Sequence, residues 1–424
     1  MTQTQAAPAP ARRTGATATA PAAPGATPAP ARTEDVPRLL NRWQVAAVAA
    51  CVLFGVLAAL WQVLAWQASG RAADDTEQLV RIQDVRSSLF RADALAATTY
   101  LEGGLESAEQ RAAYDEALGE AVRLVAEAAE AQTADTEALA QLNTALAAYA
   151  ADVTQAREAN RQGHQVGAEH LRTAGAALAA DGTLTRPLDA LVEANTQRAE
   201  DEMDGQNTLP ILLTGLAALA ALWWLNRQVA QRFHRYVNVG LAVAGVIVLA
   251  TTLVAAAFSA VVNGRHEEVR DSSFQLAFDE ADARSAANAA QAAEARRLIA
   301  RSSGEGADDA WATAAATVEK EASPETLPAW RRYADVHRQV VEADDSGDWD
   351  EAVRLATGAE ATEALDSFDE AATEVVDEAG AAATDDLRAS RVPAIILAAL
   401  TLLAGLVASG SAARGIAERR KEYA

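Results

Sequence analysis

Histidines, a cysteine and paired carboxylates are the residues that would carry chemistry in this chain, and their spacing argues against it. The five histidines stand at 164, 170, 234, 266 and 337, without carboxylates at metal-ligand spacing beside them. Glu200-Asp201-Glu202 and Asp344-Asp345 are dense enough in charge to attract a divalent cation, but they lack the ligand spacing of a calcium loop and read as solvated acidic faces. There is no Gly-rich phosphate loop and no Ser in a nucleophile-elbow context. Cys51 is the single cysteine, so no intramolecular disulfide can form. Val48-Ala49-Ala50-Cys51 loosely matches a lipoprotein cleavage box, yet the apolar run continues past it to Trp66, as a retained anchor would. The expectation is a protein that is not an enzyme, with no metal and no cofactor. A net charge of −23 without a sizeable basic face also excludes nucleic acid as a partner.

Three groups of polar residues are left as candidates for recognition. Leu79, Ile82, Leu89 and Ala96 mark a helical bundle seam, and continuing the heptad from Leu79 puts Arg86 and Asp93 at seam positions. Polar groups there either pair with a neighbouring helix or meet a ligand. The turn Asn160-Arg161-Gln162-Gly163 is a second candidate contact, or a polar corner between helices. The third is the basic stretch holding Arg227, Arg232, His234 and Arg235, either an output surface for a soluble partner or arginines that snorkel at a lipid interface.

The elements that must position these residues are helices. Alanine dominates, aromatic residues make up 5%, and strand candidates are essentially absent. Residues 1–40 form an Ala/Pro-rich tail expected to be disordered. Residues 43–66, 208–225, 237–262 and 391–411 are apolar runs long enough to cross a hydrocarbon core of about 30 Å. Between them lie 67–207 and 263–390, each about 130 residues long, and a short basic loop at 226–236, with a basic tail at 412–424.

Arginine placement orients the chain. The tail before the first span carries Arg12, Arg13, Arg32, Arg38 and Arg42; the central loop carries three arginines and no acid; the C-terminus carries Arg414, Arg419, Arg420 and Lys421. These belong inside. Residues 68–207 hold 11 Arg against 25 Asp and Glu, and residues 263–390 hold 12 basic against 30 acidic residues, so both belong outside.

Each external region divides into about four helical segments. Breaks near Gly103-Gly104, Gln132-Thr133, Gly163 and Asp181-Gly182 cut the first; Gly304 to Gly306, Ser323 to Pro328 and Ser346-Gly347 cut the second. Tyr149 and Gly163 have the same separation as Tyr333 and Gly347, and Glu158-Ala159 matches Glu342-Ala343 in that register. The expected architecture is an all-α membrane protein: four transmembrane helices carrying two extracytoplasmic four-helix bundles related by internal duplication.

A resemblance adds to this reading. With Ala-Asp-Ala at 92–94 or 281–283 and a later Tyr-(x)13-Gly before an Ala/Leu-rich helix, each domain is similar to the four-helix-bundle sensor module of bacterial chemoreceptors and histidine kinases. The whole chain after residue 40 resembles the GlnX family of actinobacterial protein kinase G-activating membrane proteins, chiefly through Asn160-Arg161-Gln162-Gly163, Val166-Gly167-Ala168 and Leu171-Arg172. The resemblance implies a signal relay between two partners. Outside is a solute-binding lipoprotein for glutamate or aspartate, and inside a serine/threonine kinase that adjusts glutamate and 2-oxoglutarate metabolism. It implies no catalytic residue.

The competing expectation is a membrane scaffold of the cell envelope that holds partners without signalling. Transport is a weaker third, since the apolar runs Trp43 to Trp66, Leu209 to Leu225, Val237 to Val262 and Val392 to Ala408 contain no Asp, Glu, Lys or Arg to line a path. The orientation has a direct check. Single cysteines at Ser107 and Ser302 should react with a membrane-impermeant thiol reagent in whole cells, and one at Gln228 should not. The opposite labelling pattern would invert the topology.

Overall fold

The computed structural model describes residues 36–103, 106–164, 166–204, 208–233, 238–301 and 305–421; the expected tail over 1–35 lies outside them. Among the described residues there is no strand. Four helices are long and apolar enough to cross a membrane. They are α1 (Val36–Glu102), α6 (Leu209–Phe233), α7 (Val239–Val269) and α13 (Arg391–Lys421).

The first bundle consists of the distal half of α1 with α2 (Ala108–Ala131), α3 (Thr136–Arg161), the short α4 (Val166–Ala177) and α5 (Thr185–Asp204). The second consists of α8 (Gln275–Ala300), α9 (Glu305–Glu321), α10 (Leu327–Asp345), the short α11 (Trp349–Ala356) and α12 (Ala359–Ala389). The helix ends follow local chemistry. Ser107 and Gln110 form a reciprocal capping box at the start of α2, and Pro328 sits in the first turn of α10, where an amide N–H would have no partner. Gly163 and Gly347 follow α3 and α10 with φ of 67° and 85°, the left-handed conformation in which a Cβ is penalised.

Three expected boundaries move. Val36–Leu40 are helical rather than tail, and Leu40 is buried among the spans. Most of the expected central loop is helix as well: α6 runs on to Phe233, because Asn226 to Phe233 contains neither Gly nor Pro and the backbone gains by keeping its hydrogen bonds past the apolar run. The basic tail likewise continues α13 to Lys421.

The spans pack through small residues, as expected where lipid supplies no hydrophobic drive between helices. Gly55 of α1 and Gly405 of α13 bring two backbones together, so that a Cβ at Gly405 would lie 2.7 Å from the Gly55 Cα. Further along the same antiparallel pair, Gln62 donates to the Thr401 hydroxyl at 3.0 Å. At the other end of the spans Asn238 caps α7, accepts from the amides of Gly240 and Leu241, and donates to the Gly415 carbonyl at 2.8 Å. It thereby ties α7 to α13.

The four helices leave the membrane through a common collar of Ala72, Leu79, Met203, Val269, Phe274 and Leu387, with further small residues around them. Between α7 and α8 the chain makes a π turn, Arg270–Phe274, at this level. α1 passes the collar without a break. Beyond it both bundles share one hydrophobic core, with Leu89, Tyr149 and Leu188 from the first and Trp330, Tyr333 and Phe368 from the second.

The span contact predicts a contrast between two glycines of α13. Gly405→Ala should destabilise the chain by about 1–3 kcal/mol through forced separation of α1 and α13. Gly410→Ala, which meets no atom within 4 Å, should be neutral or slightly stabilising. Thermal unfolding in detergent distinguishes the two.

Candidate functional site at the seam between the bundles

Helices α1 and α8 are buried on two sides each, against their own bundle and against one another. That requires small side chains. α1 offers Ser87, Ser88, Ala92, Ala94 and Ala97, and α8 offers Ala283, Ala287, Ala290 and Ala293. The contacts rise together along both helices, so they run parallel: Gln83 to Asp282, Ser87 to Ser285 and Asp93 to Arg296. The two serine hydroxyls, both buried, meet at 2.9 Å.

Around that serine pair the ion pairs are reciprocal. Arg86 reaches Asp282 at 3.7 Å and Asp189 of α5 at 3.4 Å. Arg284 reaches Asp84 at 3.3 Å and Asp369 of α12 at 2.9 Å. Asp369 also accepts from Arg91 and, at 3.4 Å, from Asn288. The pattern follows from a short sequence present in both helices, Asp84-Val85-Arg86-Ser87 and Asp282-Ala283-Arg284-Ser285. The packing therefore corrects the register suggested by the two Ala-Asp-Ala triplets. Asp282 sits opposite Arg86 and is matched by Asp84, whereas Asp93 faces Tyr149 and Arg296, because the helices align on charge and hydroxyl contacts that alanine cannot specify.

Burial sets the proton affinities here. It pushes the Asp84 carboxyl up to about 6, with Arg284 opposing and Asp377 and Glu120 adding to the rise. Burial also raises Asp282, against the pull of Arg86. Burial acts on Asp369 in the same sense, but the guanidiniums of Arg284 and Arg91 outweigh it and hold that carboxyl below its ordinary value.

Each bundle also buries a tyrosine of its third long helix against a carboxylate of its first. Tyr149 donates to Asp93 at 3.4 Å, and Tyr333 donates to Glu294 at 3.2 Å. Glu294 additionally meets His337 Nδ1 at 2.5 Å, and that imidazole stacks on Trp311 with ring centroids 3.7 Å apart.

Residues 68–204 match the actinobacterial sensor domain. The matched stretch begins where α1 leaves its apolar run and closes with α5, so the first bundle is the part of the chain that the sensor-domain description covers. It covers less than half of the chain. No curated protein and no solved structure matches. The sensor domain together with the four apolar helices describes a multi-pass membrane protein with a sensing role.

Within the sensor domain the sequence candidates separate. Arg86 and Asp93 come to the seam with the second bundle. Asn160, Arg161 and Gly163 do not: Asn160 donates to the Tyr100 carbonyl at 3.2 Å, Arg161 pairs with Glu158 of its own helix, and Gly163 terminates α3. Elsewhere, Arg227 lies over the Trp223 ring at 5.6 Å near the end of α6. Arg232 is described in its backbone alone, and His234 and Arg235 lie outside the described residues.

Sequence reasoning missed Asp84, Arg91, Arg284, Arg296 and Asp369. The repeated Asp-x-Arg-Ser would have found two of them. Asp369 carries no such signal, since its role exists only once α12 is laid against α8.

Two clefts open on this framework. One of about 300 Å³ lies beside the seam and is lined by Ser88, Arg91, Glu116, Glu120, Arg284 and Asp369. The other, of about 420 Å³, sits at the membrane end of the sensor domain among Arg71, Asp74, Asp75, Gln132, Arg198 and Glu202. Below it the buried Asp135 accepts from Gln78, Asn195 and Arg198, which clamps the α2–α3 turn onto α1 and α5. Among the described residues no group of three or more His, Cys, Asp or Glu is placed to hold a metal ion.

The seam predicts unequal arginines. Arg284→Ala removes a cation from the buried Asp369, which keeps only Arg91 and Asn288, and takes from the half-buried Asp84 its partner across the seam; it should cost up to about 3–5 kcal/mol. Arg161→Ala removes a solvent-exposed pair and should change stability by less than about 0.5 kcal/mol. Denaturant unfolding of the detergent-solubilised chain measures both.

Proposed function

We propose that this protein is a transmembrane signal relay whose two bundles lie outside the cytoplasmic membrane and whose termini lie in the cytoplasm. The observation that carries the reading is α1, a single unbroken helix from Val36 to Glu102. Half of it lies in the apolar core of the spans, and half in the seam with the second bundle. Any difference in contacts between two seam states is therefore a difference in where a membrane helix stands. The sensor-domain match supports the sensing half of this reading, and the arginine distribution supports the orientation.

The partner outside is a solute-binding lipoprotein that reports glutamate or aspartate. The partner inside is a serine/threonine kinase of the protein kinase G type, through which glutamate and 2-oxoglutarate metabolism is controlled. An acidic surface of that kinase meets Arg227, Arg232, His234 and Arg235. The strongly acidic composition of both bundles disfavours tight capture of a free dicarboxylate, which is why a protein intermediary fits better.

The test breaks the lever and leaves both halves intact. Four glycines inserted after Ala68 should leave insertion and bundle folding unchanged while abolishing the response of kinase-substrate phosphorylation to external glutamate. A variant that inserts normally and still responds as wild type would remove α1 as the relay. Arg232→Gln with Arg235→Gln asks the same of the output surface, and an undiminished response would exclude that stretch.

A further inference from the structure

Where the bundles meet the spans, arginines and acids are matched. Arg388 reaches Asp74 and Glu77 at 3.1 and 2.9 Å, Arg71 reaches Glu202 at 2.6 Å, and Arg270 reaches Asp204 at 2.6 Å. Three residues beyond Arg388 the matching stops. Arg391 opens α13 directly ahead of the apolar run from Val392, and among the described residues no carboxylate pairs with it. Its guanidinium lies flat on α1 instead. The group stands over the Trp66 ring at 5.0 Å, and a Cβ at Gly70 would lie 3.1, 3.2 and 3.3 Å from its Cζ, Nη2 and Nε. Nε is enclosed there without an acceptor, whereas the terminal nitrogens are not enclosed and have no partner among the described residues. Beside the contact the Ser390 hydroxyl donates to Ser69 at 3.3 Å, which holds the two chain segments at this level. The level is that of the membrane surface. Trp66 ends the first apolar run, and Val392, Ile395 and Ile396 just past Arg391 are exposed apolar side chains of a span.

We propose that Arg391, seated on Trp66 and Gly70, is a headgroup site for an anionic phospholipid of the leaflet at the collar end of the spans. A guanidinium at headgroup depth with no acid of its own has lipid phosphate as its abundant acceptor, and phosphate oxygens suit its planar donors. Each neighbour has a part in presenting it. Trp66 offers the cation an aromatic face and is itself an interfacial anchor. Gly70 leaves the room that lets the group lie against the helix, so the arginine is held in one orientation and loses less freedom on binding. The acids that could have neutralised it, Asp74 and Glu77, are held by Arg388. A net negative headgroup is therefore preferred to a zwitterionic one, whose phosphate already carries a choline or amine beside it. The acyl chains of that lipid run along the exposed Val392, Ile395 and Ile396. Such a lipid stands at the joint where α1 and α13 leave the membrane. The site needs only the four spans, not the orientation or the partners of the preceding section, so it stands or falls separately from them.

The experiment places the full chain in nanodiscs of phosphatidylglycerol or of phosphatidylcholine with the same acyl chains. Phenylglyoxal modifies accessible arginines, and peptide mass spectrometry reads its rate at Arg391 and, as the control for surface potential, at Arg388. On going from phosphatidylcholine to phosphatidylglycerol, modification of Arg391 should slow by about fivefold more than that of Arg388. Equal slowing of the two overturns the site. Inorganic phosphate added to the phosphatidylcholine nanodiscs should leave the Arg391 rate unchanged; protection equal to that from phosphatidylglycerol would mean a free anion is the ligand, and the lipid assignment falls. Gly70→Leu keeps the arginine but denies it its seat on α1, so it should cancel the difference between Arg391 and Arg388. A difference that survives undiminished in that variant shows the seat to be irrelevant and sinks the proposal. Should the variant fail to insert, the two arms on the unaltered chain still decide.

Discussion

Two long helices packed in parallel along a shared, fully enclosed face constrain the rest of this molecule. A helix buried on one side can carry leucine; one buried on two sides, against its own bundle and against a second, must carry alanine and serine there or the axes separate. The alanine richness of α1 and α8 follows from that, and so does the placing of charge. With so little side-chain volume at the contact, hydrophobic shape alone leaves the axial register poorly specified. The pairs Arg86 with Asp282 and Arg284 with Asp84, around the Ser87 and Ser285 hydroxyls, supply the missing specification. Buried ion pairs add little net stability once desolvation is counted, but a wrong register that leaves Arg284 or Asp369 unpartnered is costly.

The same helices carry that register into the membrane. α1 enters the collar unbroken, while α8 is joined to its span through the π turn at Arg270–Phe274. A π turn accommodates one extra residue and turns the faces on either side relative to one another. The two arms of the seam are thus coupled to their spans differently. Among the spans, glycine contacts and the Asn238 cap allow close approach without large interlocking side chains, a type of packing that tolerates small displacements.

The overall negative charge conceals an economy of arginine. Arg198 serves Asp75 and Asp135; Arg297 serves Asp308, Asp344 and Asp345; Arg284 serves Asp84 and Asp369. Each cation is shared by two or three acids drawn from two different elements. The acids left over face solvent, keep the bundles soluble and repel small anions. At the half-buried Asp84, desolvation raises proton affinity against the pull of Arg284.

Helical class, the four spans and most helix ends were written in the amino-acid sequence, because apolar length, glycine and proline act locally and leave local marks. Gly163 and Gly347 were recognisable as breaks before any coordinates, and so was the polar anomaly of Arg86 and Asp93 on an otherwise apolar row. The partners of those two residues were not recognisable. Asp282 and Arg296 lie some 200 positions away, and which helix of which bundle meets α1 depends on how two cores merge into one. The helical stretch from Asn226 to Phe233 went unread because charge marked a loop where backbone hydrogen bonding continued the helix. Sequence alone thus determined the elements and their membrane topology as an expectation. Only the tertiary structure decided that the bundles share a core, that an alanine-lined seam with reciprocal charges joins them, and that Arg284 is divided between Asp84 and Asp369, since each of these is a contact between segments that nothing nearby in the chain encodes.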